Sequence, residues 1–184
     1  IYMTNLNDLE QKSIFIIREA FNKMKNPALL WSIGKDSTTL LWLIRKAFYG
    51  KVPFPVMHID TTYKFPQMYE FRDKLGEEYG LNLLVEKNED AIANGIGYET
   101  HDAFTCCHEL KTNALKKAVD KHNFDGLFVG IRRDEHGIRN KERFFSPRDN
   151  DFKWNVVREK TVDEKEKEIK SGKQGDSNLV AQQD

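Results

Sequence analysis

Short apolar runs alternate with segments of helical periodicity along most of this chain, and that alternation most narrows the folds open to it. Ala28-Leu29-Leu30-Trp31 is apolar with no polar alternation, as expected of a strand covered on both faces. Pro55-Val56-Met57-His58-Ile59, Leu81-Asn82-Leu83-Leu84-Val85 and Gly126-Leu127-Phe128-Val129-Gly130 read as further strands. Between them lie segments of helical spacing. Leu6, Leu9, Ile14, Ile17, Phe21 and Met24 mark a first helix that Asn26-Pro27 stops. Thr38 to Phe48, Pro66 to Glu78 and Lys111 to Lys121 predict three more, and Pro66 suits a first helical turn. The pattern predicts an α/β fold, a mostly parallel open sheet with helices on both faces. Such sheets hold ligands beyond the carboxyl ends of their strands.

The chain has 184 residues, 39% of them hydrophobic, enough for one domain with a real core. We expect a nucleotide-binding domain over residues 1–157. Residues 158–184 crowd charges of both signs around few apolar residues, and are expected to form a mobile polar tail or the start of a missing C-terminal portion. Basic and acidic residues balance at 29 each, so bulk charge steers the chain toward neither nucleic acid nor anionic membrane. The aromatic residues fall mostly in core-like runs and do not interleave with a basic stripe, which disfavours a nucleic-acid platform. No apolar run reaches bilayer length and no secretory signal pattern opens the chain, so no membrane partner and a cytoplasmic location are expected. The only cysteines, Cys106 and Cys107, are adjacent, which argues against a disulfide-built fold. With His101 and His108 nearby they invite a metal or redox reading. Packing or loop anchoring is the simpler account, and no residues are assigned as a metal site.

The sharpest local signal is Ser32-Ile33-Gly34-Lys35-Asp36-Ser37, entered from the first strand and followed by a helix. Gly34 allows close backbone approach to a phosphate, and Lys35 supplies a point charge. Ser37 brings its N–H and hydroxyl to the positive end of the helix. Asp36 can brace the loop or a metal-bound water. The aspartate between lysine and serine, and the short glycine content, separate this loop from the P-loop of kinases and GTPases. The arrangement suits ATP, with adenine against the sheet edge, phosphates over residues 32–37 and Mg2+ neutralising part of their charge. Asp60 and Thr61 end the second strand, where Asp60 can orient sugar and phosphates or hold Mg2+ through water. Lys64 is a weaker cationic candidate. Beyond the fourth strand, Arg132, Arg133, Asp134, Glu135, Arg139, Lys141, Arg143 and Arg148 can clamp phosphates or a small dianion.

Taken together, residues 32–37, His58-Ile59-Asp60-Thr61, Lys64-Phe65, Gly130-Ile131-Arg132-Arg133-Asp134-Glu135, Lys141-Glu142-Arg143 and Phe145-Ser146-Pro147-Arg148-Asp149 resemble the small catalytic subunit family of two-subunit bacterial sulfate adenylyltransferases. That family sits in the adenine nucleotide α-hydrolase-like group with the phosphoadenylyl-sulfate reductases, and the resemblance covers about residues 8 to 160. It implies an ATP-using nucleotidyltransferase forming adenylyl sulfate and pyrophosphate from ATP and sulfate. It also implies a GTPase subunit as partner, in a heterodimer or an assembly of heterodimers. Carried onto this chain, the pyrophosphate role falls on Ser32, Gly34, Lys35, Asp36 and Ser37, with nucleotide contacts near Asp60 and Arg143. Lys35, Arg132 and Arg133 become the expected catalytic cations. Ile33 stands where many relatives of the wider group carry a second glycine. The alternatives are a sulfonucleotide reductase, a sulfur-transfer component of nucleic-acid modification, or a noncatalytic nucleotide-binding subunit.

Overall fold

The computed structural model describes residues 5–132, 143–149 and 152–153, and the chain divides into two compact units, Ile1–Phe145 and Ser146–Asp184. The first unit runs α1 (Leu6–Lys23), β1 (Pro27–Leu30), α2 (Lys35–Ala47), β2 (Val56–Ile59), α3 (Pro66–Glu78), β3 (Leu83–Glu86), α4 (Glu89–Ala93), α5 (Ala103–Cys107), a π-helical segment (His108–Asn113), α6 (Ala114–His122) and β4 (Gly126–Val129). In the second unit, the Asp149 side chain accepts a hydrogen bond from the Lys153 N–H at 2.8 Å, closing a tight turn.

The sheet is parallel throughout, in the order β3-β2-β1-β4. The chain moves outward from β1 to β3, then crosses to the other side of β1. Side-chain alternation divides the core accordingly. Leu29, Val56 and Phe128 share a register row and pack under α1 and α2 with Ile17, Ala20, Leu41 and Ile44. Met68 and Leu75 of α3 join that layer. Ala28 and Met57 face the other way, against Ala118, Leu115 and Val119 of α6. Helices therefore cover both faces, as the apolar runs predicted.

Polar side chains fix the amino ends of the two strands flanking the switch. The Asp125 carboxylate accepts the Lys25 N–H at 2.7 Å and the Asn26 N–H at 2.9 Å. Asn26 in turn donates its amide to the carbonyls of His122 and Asn123, both at 2.9 Å. Pro27, the first residue of its strand, lacks an N–H at the one strand position where that is tolerated.

Several element bounds differ from expectation. Helix α2 starts at Lys35 and not at Thr38, because the Thr38 N–H bonds the Gly34 carbonyl at 2.9 Å and draws Lys35, Asp36 and Ser37 into its first turn. Strand β3 starts two residues late: Gly80 takes φ +58° and the Leu81 N–H closes onto the Gly76 carbonyl at 2.9 Å, so Leu81 and Asn82 finish the exit from α3. The predicted helix at Lys111 is π-helical up to Asn113 and α-helical only from Ala114. Helices α4 and α5 lay outside the expected elements. Among the described residues no helix is long and apolar enough to cross a membrane.

Candidate functional site

The nucleotide-type loop sits at the carboxyl edge of the sheet, next to the point where strand order reverses between β1 and β4, where open α/β sheets hold their ligands. The Trp31 N–H still pairs with the Met57 carbonyl at 2.8 Å, so the sheet carries the chain to the loop's threshold. Ile33 then takes φ +68°, a left-handed conformation unfavourable for a β-branched residue. Its side chain is 8% exposed and belongs to the core, which holds the backbone there.

Gly34 caps α2 with extended backbone and no side-chain hydrogen bond. The starts of α1 and α5 are capped by the side chains of Asn5 and Asp102, whereas those of α3 and α4, like that of α2, carry no side-chain cap. The amides of the first α2 turn are thus left for an external acceptor at the positive end of the helix. The loop is braced from inside. The Ser32 and Ser37 hydroxyl oxygens are 3.0 Å apart, and the Ser37 hydroxyl donates to the Gly34 carbonyl at 3.1 Å. The Trp31 indole N–H donates to the Thr38 hydroxyl at 3.0 Å. Ser37 is buried, so its hydroxyl serves the loop while its backbone N–H belongs to the open first turn. Lys35 and Asp36 point outward, with the ammonium 3.2 Å from both carboxylate oxygens.

Strand β2 supports the loop from beneath. His58 is fully buried, and its Nδ1 donates to the Trp31 carbonyl at 2.8 Å, leaving Nε2 without a partner among the described residues. Burial pushes this imidazole below its ordinary value, outweighing the hydrogen bond to Trp31. Asp60 is 5% exposed. Its Oδ1 accepts the Thr62 N–H at 2.8 Å and the Tyr69 hydroxyl at 2.9 Å, and its Oδ2 lies 3.4 Å from the Lys87 ammonium. Burial pushes the Asp60 carboxyl up, but those hydrogen bonds and the Lys87 charge together hold it below the usual carboxylate range. Asp60 thus joins the turn after β2, α3 and the residue after β3.

Beside the loop a cavity of about 320 Å³ opens, lined by Leu30, Trp31, Ser32, Ile59 and Thr61 from the first two strands and the loops after them, by Lys64, and by Lys111, Thr112 and Leu115 from the π-helical segment and α6. Lys111, Thr112 and Leu115 were not singled out as site residues from the sequence. The π-helical segment shifts the helical phase there, so a fixed period could not show which side chains face the cavity.

At the fourth strand, a Cβ on Gly130 would lie 2.9 Å from the Asp36 carbonyl carbon and oxygen and from the Ser37 Cα. Glycine therefore lets β4 touch the first turn of α2 directly. Arg132 follows, exposed, beyond that contact. Arg143 is also exposed, and precedes Phe144 and Phe145, whose rings lie 5.4 Å from the Lys12 ammonium and 5.0 Å from the Lys23 ammonium of α1. Arg133, Asp134, Glu135, Arg139 and Lys141 lie outside the described residues. Cys106 is half-buried and Cys107 exposed, at the end of α5. Among the described residues no three His, Cys, Asp or Glu side chains converge as a metal site.

A family model described as the phosphoadenosine phosphosulfate reductase domain matches residues 26–162, taking in the sheet, the loop and the arginine region. The chain belongs to the phosphoadenosine phosphosulfate reductase domain family. Within the curated relatives, sulfate adenylyltransferase subunit 2 of Pseudomonas fluorescens (strain SBW25) is 52% identical over 153 residues, 83% of this chain and 50% of the relative. The chain thus spans about half the length of the curated relatives it matches. Among solved structures, a phosphoadenylyl-sulfate reductase from Candida auris aligns with TM-score 0.57 at 18% identity, over 73% of this chain and 70% of that one. An NH3-dependent NAD synthetase from Campylobacter jejuni aligns with TM-score 0.52 at 14% identity, over 72% and 59%. At such identities these two show the fold alone, a parallel α/β sheet with helices on both faces.

The comparisons correct one expectation. The sequence reading made the chain itself an enzyme, a sulfate adenylyltransferase releasing pyrophosphate from ATP. The chain matches half of one subunit of that enzyme, and a nucleotide-binding role within the subunit is what this supports. The chain by itself is therefore not described as a transferase or nucleotidyltransferase. The physical reason is that adenylyl transfer needs both reactants held in line at reacting distance. The described residues show a braced helix start at Gly34 and a cavity beside it.

Proposed function

We propose that this phosphoadenosine phosphosulfate reductase domain is a nucleotide-holding element that takes up ATP without completing a transfer reaction by itself. The observation that carries the reading is the uncapped α2 amino end at Gly34, braced by Ser32 and Ser37 and opening beside the cavity at the carboxyl edge of the sheet. The phosphates would lie over Ser32, Gly34, Lys35, Asp36 and Ser37. There the first-turn amides and the Lys35 ammonium, which leaves Asp36 for the ligand, offset their charge. The base and sugar would occupy the cavity between Leu30, Ile59 and Leu115. Asp60, already bonded to Thr62, Tyr69 and Lys87, acts by holding the cavity wall in place. Arg132 is the described cation we assign to an anion contact beyond Gly130, with Arg133 and Arg143 as further candidates in the same stretch of sequence.

Mg2+ fits as an ion brought in by the nucleotide. Asp36 offers an exposed carboxylate at the loop, and Mg2+ in nucleotide sites is commonly held by phosphates and waters with one or two carboxylates. When bound, it would neutralise part of the phosphate charge. The resemblance to sulfate adenylyltransferase subunit 2 supports a GTPase subunit as partner and sulfate as the anion handled by that assembly.

Calorimetric titration of MgATP into the chain, alongside an assay of pyrophosphate release with sulfate, tests the reading. Saturable ATP binding without sulfate-dependent release is expected. Failure to bind ATP, or sulfate-dependent pyrophosphate release by the chain alone, would refute it.

A further inference from the structure

Strand β2 and helix α3 carry matching stripes of side chains. Helix α3 connects the parallel strands β2 and β3, so it runs against the direction of β2. Val56, His58 and Asp60 project to one face, because the Asp60 N–H continues the sheet ladder onto the Glu86 carbonyl at 2.9 Å. Tyr69, Arg72 and Leu75 follow at three-residue spacing along α3. Two levels between the stripes are closed. Leu75 joins the core layer that holds Val56, and the Tyr69 hydroxyl donates to Asp60 at 2.9 Å. The level between them sets His58 opposite Arg72.

Among the described residues, the two buried side-chain polar atoms without a hydrogen-bond partner are His58 Nε2 and Arg72 Nη1. Their chemistry is complementary. His58 commits its Nδ1 hydrogen to the Trp31 carbonyl at 2.8 Å, so Nε2 carries a lone pair and accepts. The Arg72 guanidinium only donates; its Nε reaches Asp73 at 2.7 Å, its side chain is 12% exposed, and Nη1 is buried. A buried donor and a buried acceptor left apart are both costly, and one water that accepts from the first and donates to the second removes both costs. Burial lowers the His58 imidazole most, and the Trp31 bond opposes it. Of the charges that bear on the ring, Lys64 after β2 and Arg72 of α3 lower it further, and Asp60 raises it. The ring is thus kept in its neutral, accepting form.

We infer that Arg72 is a positioning residue for the loop at Ser32, acting through one buried water that accepts from its Nη1 and donates to His58 Nε2. Held from that side, the imidazole keeps its Nδ1 hydrogen on the Trp31 carbonyl, one residue before Ser32. Trp31 passes the constraint to α2 through its indole N–H, which donates to the Thr38 hydroxyl at 3.0 Å. The loop then depends on a residue of α3 that does not line the cavity. The effect on ATP rests on the nucleotide reading; the bridge itself does not.

The test combines nitrogen NMR of the histidine ring with ATP calorimetry on wild type, His58→Asn, Arg72→Met, the double variant and Arg72→Lys. Asparagine keeps a donor for the Trp31 carbonyl but puts nothing at the place of Nε2. Methionine keeps an apolar stem without the donors. In wild type, Nε2 of His58 should be unprotonated and hydrogen-bonded, and in Arg72→Met unprotonated and free. Each single variant should weaken ATP about three- to tenfold, the worth of one hydrogen bond. The double variant should bind no more weakly than the weaker single one, because both remove the same link. Arg72→Lys, whose ammonium can donate to the same water, should recover most of the affinity. As a control, Arg45→Met also strips a guanidinium from a tyrosine face, as Arg72→Met does at Tyr69, and should move neither readout. Losses that multiply in the double variant, a hydrogen on Nε2 in wild type, or a ring signal indifferent to Arg72→Met would overturn the inference. Should Arg72→Met not fold, the wild-type signal still decides, since a free Nε2 there overturns the bridge. If wild type takes up no ATP, the nucleotide reading fails, and the ring signal with that of the Trp31 indole N–H, moved alike by His58→Asn and Arg72→Met or not, decides the bridge.

Discussion

Replacing Gly130 with alanine tests the contact that joins β4 to the nucleotide loop. The added Cβ would sit 2.9 Å from the Asp36 carbonyl carbon and oxygen and from the Ser37 Cα. Carbon atoms prefer separations of roughly 3.5–4.0 Å, so the first turn of α2 and the end of β4 must part by about 0.6–1 Å. No flexible side chain can absorb this, because the atoms met are backbone, and overpacking of this kind costs about 1–3 kcal/mol. The same displacement moves the first-turn amides away from any phosphate they hold. Losing one charge-assisted hydrogen bond there costs about 1.5–3 kcal/mol, roughly a tenfold to hundredfold loss of ATP affinity. Gly126→Ala is the control, since the nearest atoms its Cβ would meet all belong to the flexible side chain of Met24, which can turn aside. That variant should lose under about 1.5 kcal/mol and bind ATP as wild type does. Urea unfolding and ATP calorimetry on both variants give the comparison. Unchanged ATP affinity in Gly130→Ala, or equal losses in the two variants, would refute the reasoning.

Three further outcomes are expected. Ile33→Gly relieves a left-handed backbone worth about 1–2 kcal/mol but empties a buried position worth about 2–5 kcal/mol, so urea unfolding should show a net loss; a more stable variant would mean that the core does not hold Ile33 in place. Burial lowers the His58 value in the folded state, so the unfolded chain binds a proton first as pH falls. The His58 contribution is therefore complete above about pH 6.5 and declines as pH drops from there toward the folded value. His58→Asn should flatten stability between about pH 7.5 and 5.5, and an unaltered slope would remove His58 as the cause. Lys35→Gln should leave stability within about 0.5 kcal/mol, because its pairing with Asp36 is exposed, while ATP affinity falls about tenfold; unaltered affinity by calorimetry would take Lys35 out of the site.

The strands and the main helices were legible because each is written locally. Leu29, Val56 and Phe128 announce covered strands by their apolar neighbours, and Pro66 announces a helix start through its own backbone. The loop at Ser32 was legible for the same reason, since Gly34 and Lys35 stand between a strand and a helix in the chain itself. The place of Ser37 within that helix was misjudged, because the Thr38 bond to the Gly34 carbonyl is what begins α2 at Lys35.

By itself the sequence determined the strand and helix periods, the loop at Ser32 between a strand and a helix, and the edge of the sheet on which that loop lies, all of which follow from residues near one another in the chain. Only the tertiary structure decided that Asp60 is bonded to Thr62, Tyr69 and Lys87, that His58 bears on Trp31, that Gly130 touches Asp36 and Ser37, and that Lys64 and Lys111 line one cavity. Most of these contacts join separate strands, loops and helices. Their chemistry depends on burial and on what a side chain finds opposite it, which packing supplies and local order in the chain does not.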